Sequence, residues 1–199
     1  MKTNITEVLG YLAIAVIIIS LFFISIRFTG YDVTSNQTGV VNVTISGAGA
    51  LNFSTALLDF GTGAVVGGQA GATLQSNGTG LNASWTGPKT TGQLVLENIG
   101  NVNVSLTLST NKTVADFIGG TAPTFKAIVA DKAEKTGACT GTQTFSSYAT
   151  INQTLQTACA VFGYASAVDE IDIDFELYIP NDAITGGRTI GIVAIGTYT

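Results

Sequence analysis

The sequence predicts a mainly β protein preceded by a long N-terminal hydrophobic α-helix, and three observations carry that expectation. An uncharged apolar run stands near the N-terminus. Alternation of apolar and polar residues with a period of two recurs after it, and glycine-rich turn signals separate the alternating stretches. Residues 1–30 and residues 31–199 are accordingly expected to be a hydrophobic helix and a β domain.

Residues 8–26 are nineteen consecutive positions without a charge, flanked by Glu7 and Arg27. At about 1.5 Å per residue a helix of that length spans about 28 Å, the thickness of a bilayer's hydrocarbon core. The run is apolar on every face, which excludes the amphipathic helix of an ordinary soluble core. A secretory signal, a plain membrane anchor and a segment buried among copies of itself all remain open. The first fits least, because such signals have a shorter apolar region and a small-residue cleavage site, whereas this run ends in Ile26-Arg27-Phe28. Gly10 and Ala13 permit close helix approach, and no proline interrupts the run.

The strands follow from alternation. Val102, Val104, Leu106 and Leu108 fall on one face of an extended segment, with Asn103, Ser105, Thr107 and Ser109 on the other. Val41, Val43 and Ile45 alternate in the same way with Asn42 and Thr44. Further strands are expected at 93–99, 125–130, 171–179 and 189–198, with turns at 98–101 and 184–187. Residues 61–92 hold nine glycines and read as loop-rich. Several short strands joined by glycine-rich turns predict a β-sandwich of immunoglobulin-like type. The segment 189–198 is apolar on both faces, so it is expected to be a central strand or one covered by a neighbouring subunit.

Composition limits the chemistry. Charged residues make up 11% of the chain, well under the roughly 25% of a typical soluble domain, so the surface must be neutral and polar. A net charge of −5 with no basic run argues against a nucleic-acid partner. There is no histidine, which removes the commonest general base and metal ligand. No cofactor and no catalytic activity are expected. The glycines of 61–68 lack the Lys-Ser/Thr of a phosphate-binding loop, the G-x-G-x-x-G spacing and a following helix signal, and read as a surface turn. In the acidic stretch 169–176, Asp172, Asp174 and Glu176 share one side of a strand. Same-face neighbours lie about 7 Å apart, too far to converge on a Ca²⁺ ion without a loop, so a solvated strand face is expected. Trp85 is expected to be partly buried in the core. Cys139 and Cys159 are either two thiols or one disulfide, and a disulfide is expected because other features place the domain outside the cell.

One such feature is the N-x-S/T pattern at Asn4, Asn36, Asn42, Asn52, Asn77, Asn82, Asn103, Asn111 and Asn152. It reads as a set of acceptors for N-linked glycan or as bare Asn/Thr-rich turns, and a glycan-coated exterior is expected. Asn42 and Asn103 fall on the polar faces of their strands, where a sugar would not disturb a core.

Leu58-Asp59-Phe60-Gly61 together with residues 94–101, LVLENIGN, resembles immunoglobulin-like modules of prokaryotic surface proteins. At the N-terminus, Lys2 precedes Thr3-Asn4-Ile5-Thr6-Glu7 and then the apolar run; Ile5-Thr6-Glu7-Val8-Leu9-Gly10-Tyr11 resembles the start of archaeal type IV pilins and archaellin-like filament subunits. That resemblance implies a cleaved leader of residues 1–2, with the cut between Lys2 and Thr3. Glu7 would then be the fifth residue and an assembly residue offsetting the α-amino charge of a neighbour. It implies a structural subunit of an extracellular filament: a helical homopolymer of itself, inserted in the membrane before assembly and located at the cell surface. A membrane-anchored surface module, such as an adhesin or surface-layer component, and a secreted strand-exchanging fibre subunit are the alternatives.

Overall fold

Two antiparallel sheets share one apolar core. The structure is a computed structural model that describes residues 49–77, 84–88 and 92–198, all within the compact unit Ser46–Thr199. The first sheet comprises β1 (Leu51–Thr55), β2 (Gly71–Gln75), β3 (Leu94–Asn98), β5 (Thr124–Asp131), β7 (Ala149–Thr150) and β9 (Glu170–Pro180). Its order is β1-β3-β9-β5-β7, with β2 also paired to β9. The second comprises β4 (Val104–Thr110), β6 (Cys139–Thr140), β8 (Gln156–Phe162) and β10 (Ile192–Tyr198), in the order β10-β4-β8-β6.

These elements form where alternation supplies a core face. Ile171, Ile173, Phe175 and Leu177 of β9 are all buried, and so are Val104, Leu106 and Leu108 of β4. Phe175 stacks on Phe125 of β5 with ring centroids 5.1 Å apart, a packing worth roughly 1 kcal/mol beyond the area buried. Between β4 and β5 the chain makes one helical turn, α1 (Val114–Phe117), whose N-terminus is capped by the Thr113 hydroxyl accepting from the Asp116 N–H at 3.1 Å.

The expected class, an immunoglobulin-like sandwich preceded by a long hydrophobic helix, needs correction. The described residues are mainly β, and among them no helix is long and apolar enough to cross a membrane; α1 has four residues. The sheets hold six and four strands, not the four and three of a constant-type immunoglobulin domain. The physical reason is the length of β9. Its eleven residues give room on one edge for two short strands end to end, β3 against Glu170–Ile173 and β2 against Glu176–Pro180. The helix expected over residues 8–26 and the strand expected over 41–45 lie outside the described residues.

The two expected turns connect the sheets and do not close hairpins. Residues 98–101 carry the chain from β3 in one sheet to β4 in the other, and residues 184–187 do the same between β9 and β10. Asn98, 1% exposed, organises the first crossover. Its Nδ2 donates to Val102 O at 3.0 Å and Phe162 O at 3.3 Å, and its Oδ1 accepts from Gly100 N–H at 3.1 Å.

Candidate surface sites

The Cys139–Cys159 disulfide is formed, closing a separation of 20 residues. It ties the short edge strand β6 to β8, and both cysteines are buried. The Cys139 N–H is also fixed by Asp131 Oδ1 at 2.8 Å, so the bridge is anchored to β5 as well.

The outer face of the six-stranded sheet is charged and internally paired. Alternation on β9 does point Asp172, Asp174 and Glu176 away from the core, yet the face is half-buried and not openly solvated. Lys126 on the adjacent β5 reaches Glu176 at 2.8 Å, Gln75 of β2 donates to the same carboxylate at 2.6 Å, and Ser76 donates to Asp174 at 2.9 Å. Lys132 pairs with Glu170, and Lys135 bridges Asp169 at 2.8 Å and Glu170 at 3.2 Å. Sequence reading placed the carboxylates on one side but missed their partners, because lysines from β5 and the following loop meet β9 only through the sheet register. Among the described residues no group of three His, Cys, Asp or Glu is placed to hold a metal ion. Tyr148 lies over this face with its hydroxyl buried and unpartnered; burial, then the charges of Asp174 and Glu176, pushes its pKa up to about 12.

These contacts set the response to acid. Burial pushes the Glu176 carboxyl up, but hydrogen bonds from Lys126 and Gln75 outweigh it and hold the pKa below the ordinary 4.5. Glu170 is lowered too, chiefly by its hydrogen bond from Lys132, against burial and with help from Lys135. Asp172 moves oppositely, raised by burial over the hydrogen bond from Gln93 and the Lys132 charge. A carboxylate whose pKa is lowered by folding contributes stability above its unfolded value and loses it as pH falls through the folded one. The contribution of Glu170 and Glu176 therefore starts to decline near pH 4.5 and is lost as pH falls through their lower folded values, while Asp172, shifted the other way, partly offsets the loss. The melting temperature should fall between about pH 5 and about pH 3, and Lys126→Met should show a shallower fall. An equal or steeper fall in that variant would contradict the role given to the Lys126 contact.

The outer face of the four-stranded sheet has a different chemistry. Register places Ser105, Thr107 and Ser109 of β4 beside Thr197, Ile195 and Val193 of β10, and Thr107 beside Thr157 of β8. These seven carry hydroxyl and aliphatic groups and no charge. β10 was expected to be central or covered; among the described residues it is an edge strand paired with β4, with Val193 and Ile195 39% and 41% exposed. Its inner residues, Ile192 and Ala194, pack against the core, while the outward ones have no covering element among the described residues.

An apolar groove of about 1070 Å³ is lined by Phe53, Leu58, Phe60, Phe125, Phe175 and Ile192, together with residues of the 61–65 and 183–191 segments. Trp85, half-buried as expected, lies at its margin and bridges to Val65; a Cβ on Gly63 would sit 2.4 Å from the indole. The glycines of 61–68 are thus a turn packed on an aromatic ring, with an exposed outer side.

Among the acceptor asparagines, Asn52, Asn77, Asn103, Asn111 and Asn152 are exposed. Asn4, Asn36, Asn42 and Asn82 lie outside the described residues, as do Lys2, Thr3 and Glu7. Comparison of the chain with family models, curated proteins and solved structures returned no match.

Proposed function

We propose that this chain is a structural subunit of an extracellular, type IV pilus-like filament, held in the membrane before assembly by its apolar N-terminal segment. The observation that carries the reading is in the sequence: nineteen uncharged residues, 8–26, begin directly after Glu7 and precede a β domain. The disulfide supports it, since such bonds persist in oxidising compartments outside the cytosol.

In this reading the mechanism is assembly. Apolar segments of many copies bury one another, at roughly 25 cal/mol per Å² removed from solvent, and the β domains form the outer wall. Cleavage between Lys2 and Thr3 exposes an α-amino group that the Glu7 carboxylate of a neighbour offsets; unpaired in that apolar core, the carboxylate would be strongly destabilising.

Electron microscopy of surface material, with N-terminal sequencing of its subunit, tests the proposal. Filaments whose subunit begins at Thr3 and keeps residues 8–26 are the expected result. Glu7→Ala, compared at equal amounts of membrane-held subunit, should reduce filament number; a wild-type number would remove the role given to Glu7. Membrane-held monomers with no filaments would favour an anchored surface module instead.

A further inference from the structure

We propose that Asn52, Asn103, Asn111 and Asn152 each carry an N-linked glycan on Nδ2. The inference does not depend on filament assembly. It rests on how the chain divides its asparagines between two uses.

The chain has twelve asparagines, and Ser and Thr together occupy 41 of its 199 positions. Random placement would put about 2.5 asparagines two residues before a Ser or Thr, yet nine stand there. The excess is too large to follow from an Asn/Thr-rich composition alone. The three asparagines outside the pattern are Asn98, Asn101 and Asn181.

Geometry separates Asn98 and Asn181 from Asn52, Asn103, Asn111 and Asn152 by which amide atom the fold consumes. Outside the pattern, Asn98 spends its nitrogen on Val102 O and Phe162 O, and Asn181 donates to Gln69 O at 3.0 Å. Inside it, Asn111 and Asn152 use only the oxygen: Oδ1 of Asn111 accepts from Gly191 N–H at 2.8 Å, and Oδ1 of Asn152 from Thr154 N–H at 2.8 Å. Asn52 and Asn103 are exposed and make no hydrogen bond through the side chain among the described residues. In all four the nitrogen is left for chemistry.

The transfer balances with a lipid-linked glycosyl phosphate or pyrophosphate as donor. The Asn nitrogen bonds to the anomeric carbon as the carbon–oxygen bond to phosphate breaks. The phosphate leaves with the electron pair, and one amide proton passes to base. Oδ1 is untouched, so the bonds from Gly191 and Thr154 survive modification. Asn98 and Asn181, whose nitrogens hold the fold, have no acceptor pattern to expose them to the same reaction.

The test is site-resolved peptide mass spectrometry on the full chain, isolated from the surface of a host that modifies a secreted N-x-T reporter. A glycan mass at all four sites is expected. Thr154→Ala should strip Asn152 alone while keeping the bond from residue 154's N–H, and Thr113→Ser, which keeps both the acceptor pattern and the α1 cap, should leave Asn111 modified. Any of the four recovered bare overturns its own assignment, and all four bare overturns the proposal.

Discussion

Asn98→Ala should lower the unfolding free energy by about 3 kcal/mol, since it removes three hydrogen bonds made by one buried side chain at the crossover. For a unit of this size that is a drop of roughly 10 °C in melting temperature. Asn98→Asp, nearly the same shape, should be worse at neutral pH. It keeps an acceptor for Gly100 N–H but turns a carboxylate oxygen toward Val102 O and Phe162 O, where the amide nitrogen had donated. That carboxyl would be protonated more readily folded than unfolded, so the deficit should shrink as pH falls. Thermal melts of both variants at neutral and mildly acidic pH check the ordering; an Asp variant as stable as wild type at neutral pH would show that the crossover does not depend on the Nδ2 donors.

Removing the disulfide should cost a similar amount. Closing a separation of 20 residues contributes about 3 kcal/mol on the chain-entropy view. Cys139→Ala with Cys159→Ala should therefore lower the denaturant midpoint by that equivalent. The effect should also be local. β6 has two residues and pairs with β8 alone, so its amides should lose hydrogen-exchange protection first, while those of β9 and β5 keep theirs. Uniform loss across both sheets would show instead that the bridge supports the whole core.

Strands with strict alternation were legible in the sequence, and β4 and β9 show why. Burying one face of each fixes every second residue, so pattern alone names the core side. β8 was illegible for the opposite reason: its pairing with β4 shifts register twice, so QTACAVF carries no clean period. β2 was hidden inside a glycine-rich stretch, and its strand character comes from the free edge that β9 offers it. Ser109 and Thr110 were assigned by pattern or left aside, yet both are buried; the Thr110 N–H donates to Asn152 O and its hydroxyl to Lys112 O, a closure no local period announces. The acceptor asparagines were visible as a motif, whereas the division between used oxygens and spared nitrogens needed the folded chain.

The pairing of two short strands with β9 has a consequence for how the molecule tolerates change. The chain leaves β2 at Ser76 and returns at Gly92, and the two ends are clasped: Gly92 N–H donates to Ser76 O at 2.9 Å. Ser76 is itself pinned to β9, its N–H on Phe175 O at 2.9 Å and its hydroxyl accepting from Phe175 N–H at 2.8 Å. The registers of β2 and β3 are therefore held on either side of this clasp, as a drawstring holds the neck of a pouch. A tag inserted between Asn77 and Ser84 should leave the pairing of both strands unchanged, while residues 84–86 stay bonded back to Ala64 and Val66. Variation among proteins built on this plan should collect there, while the clasp at Ser76 stays fixed.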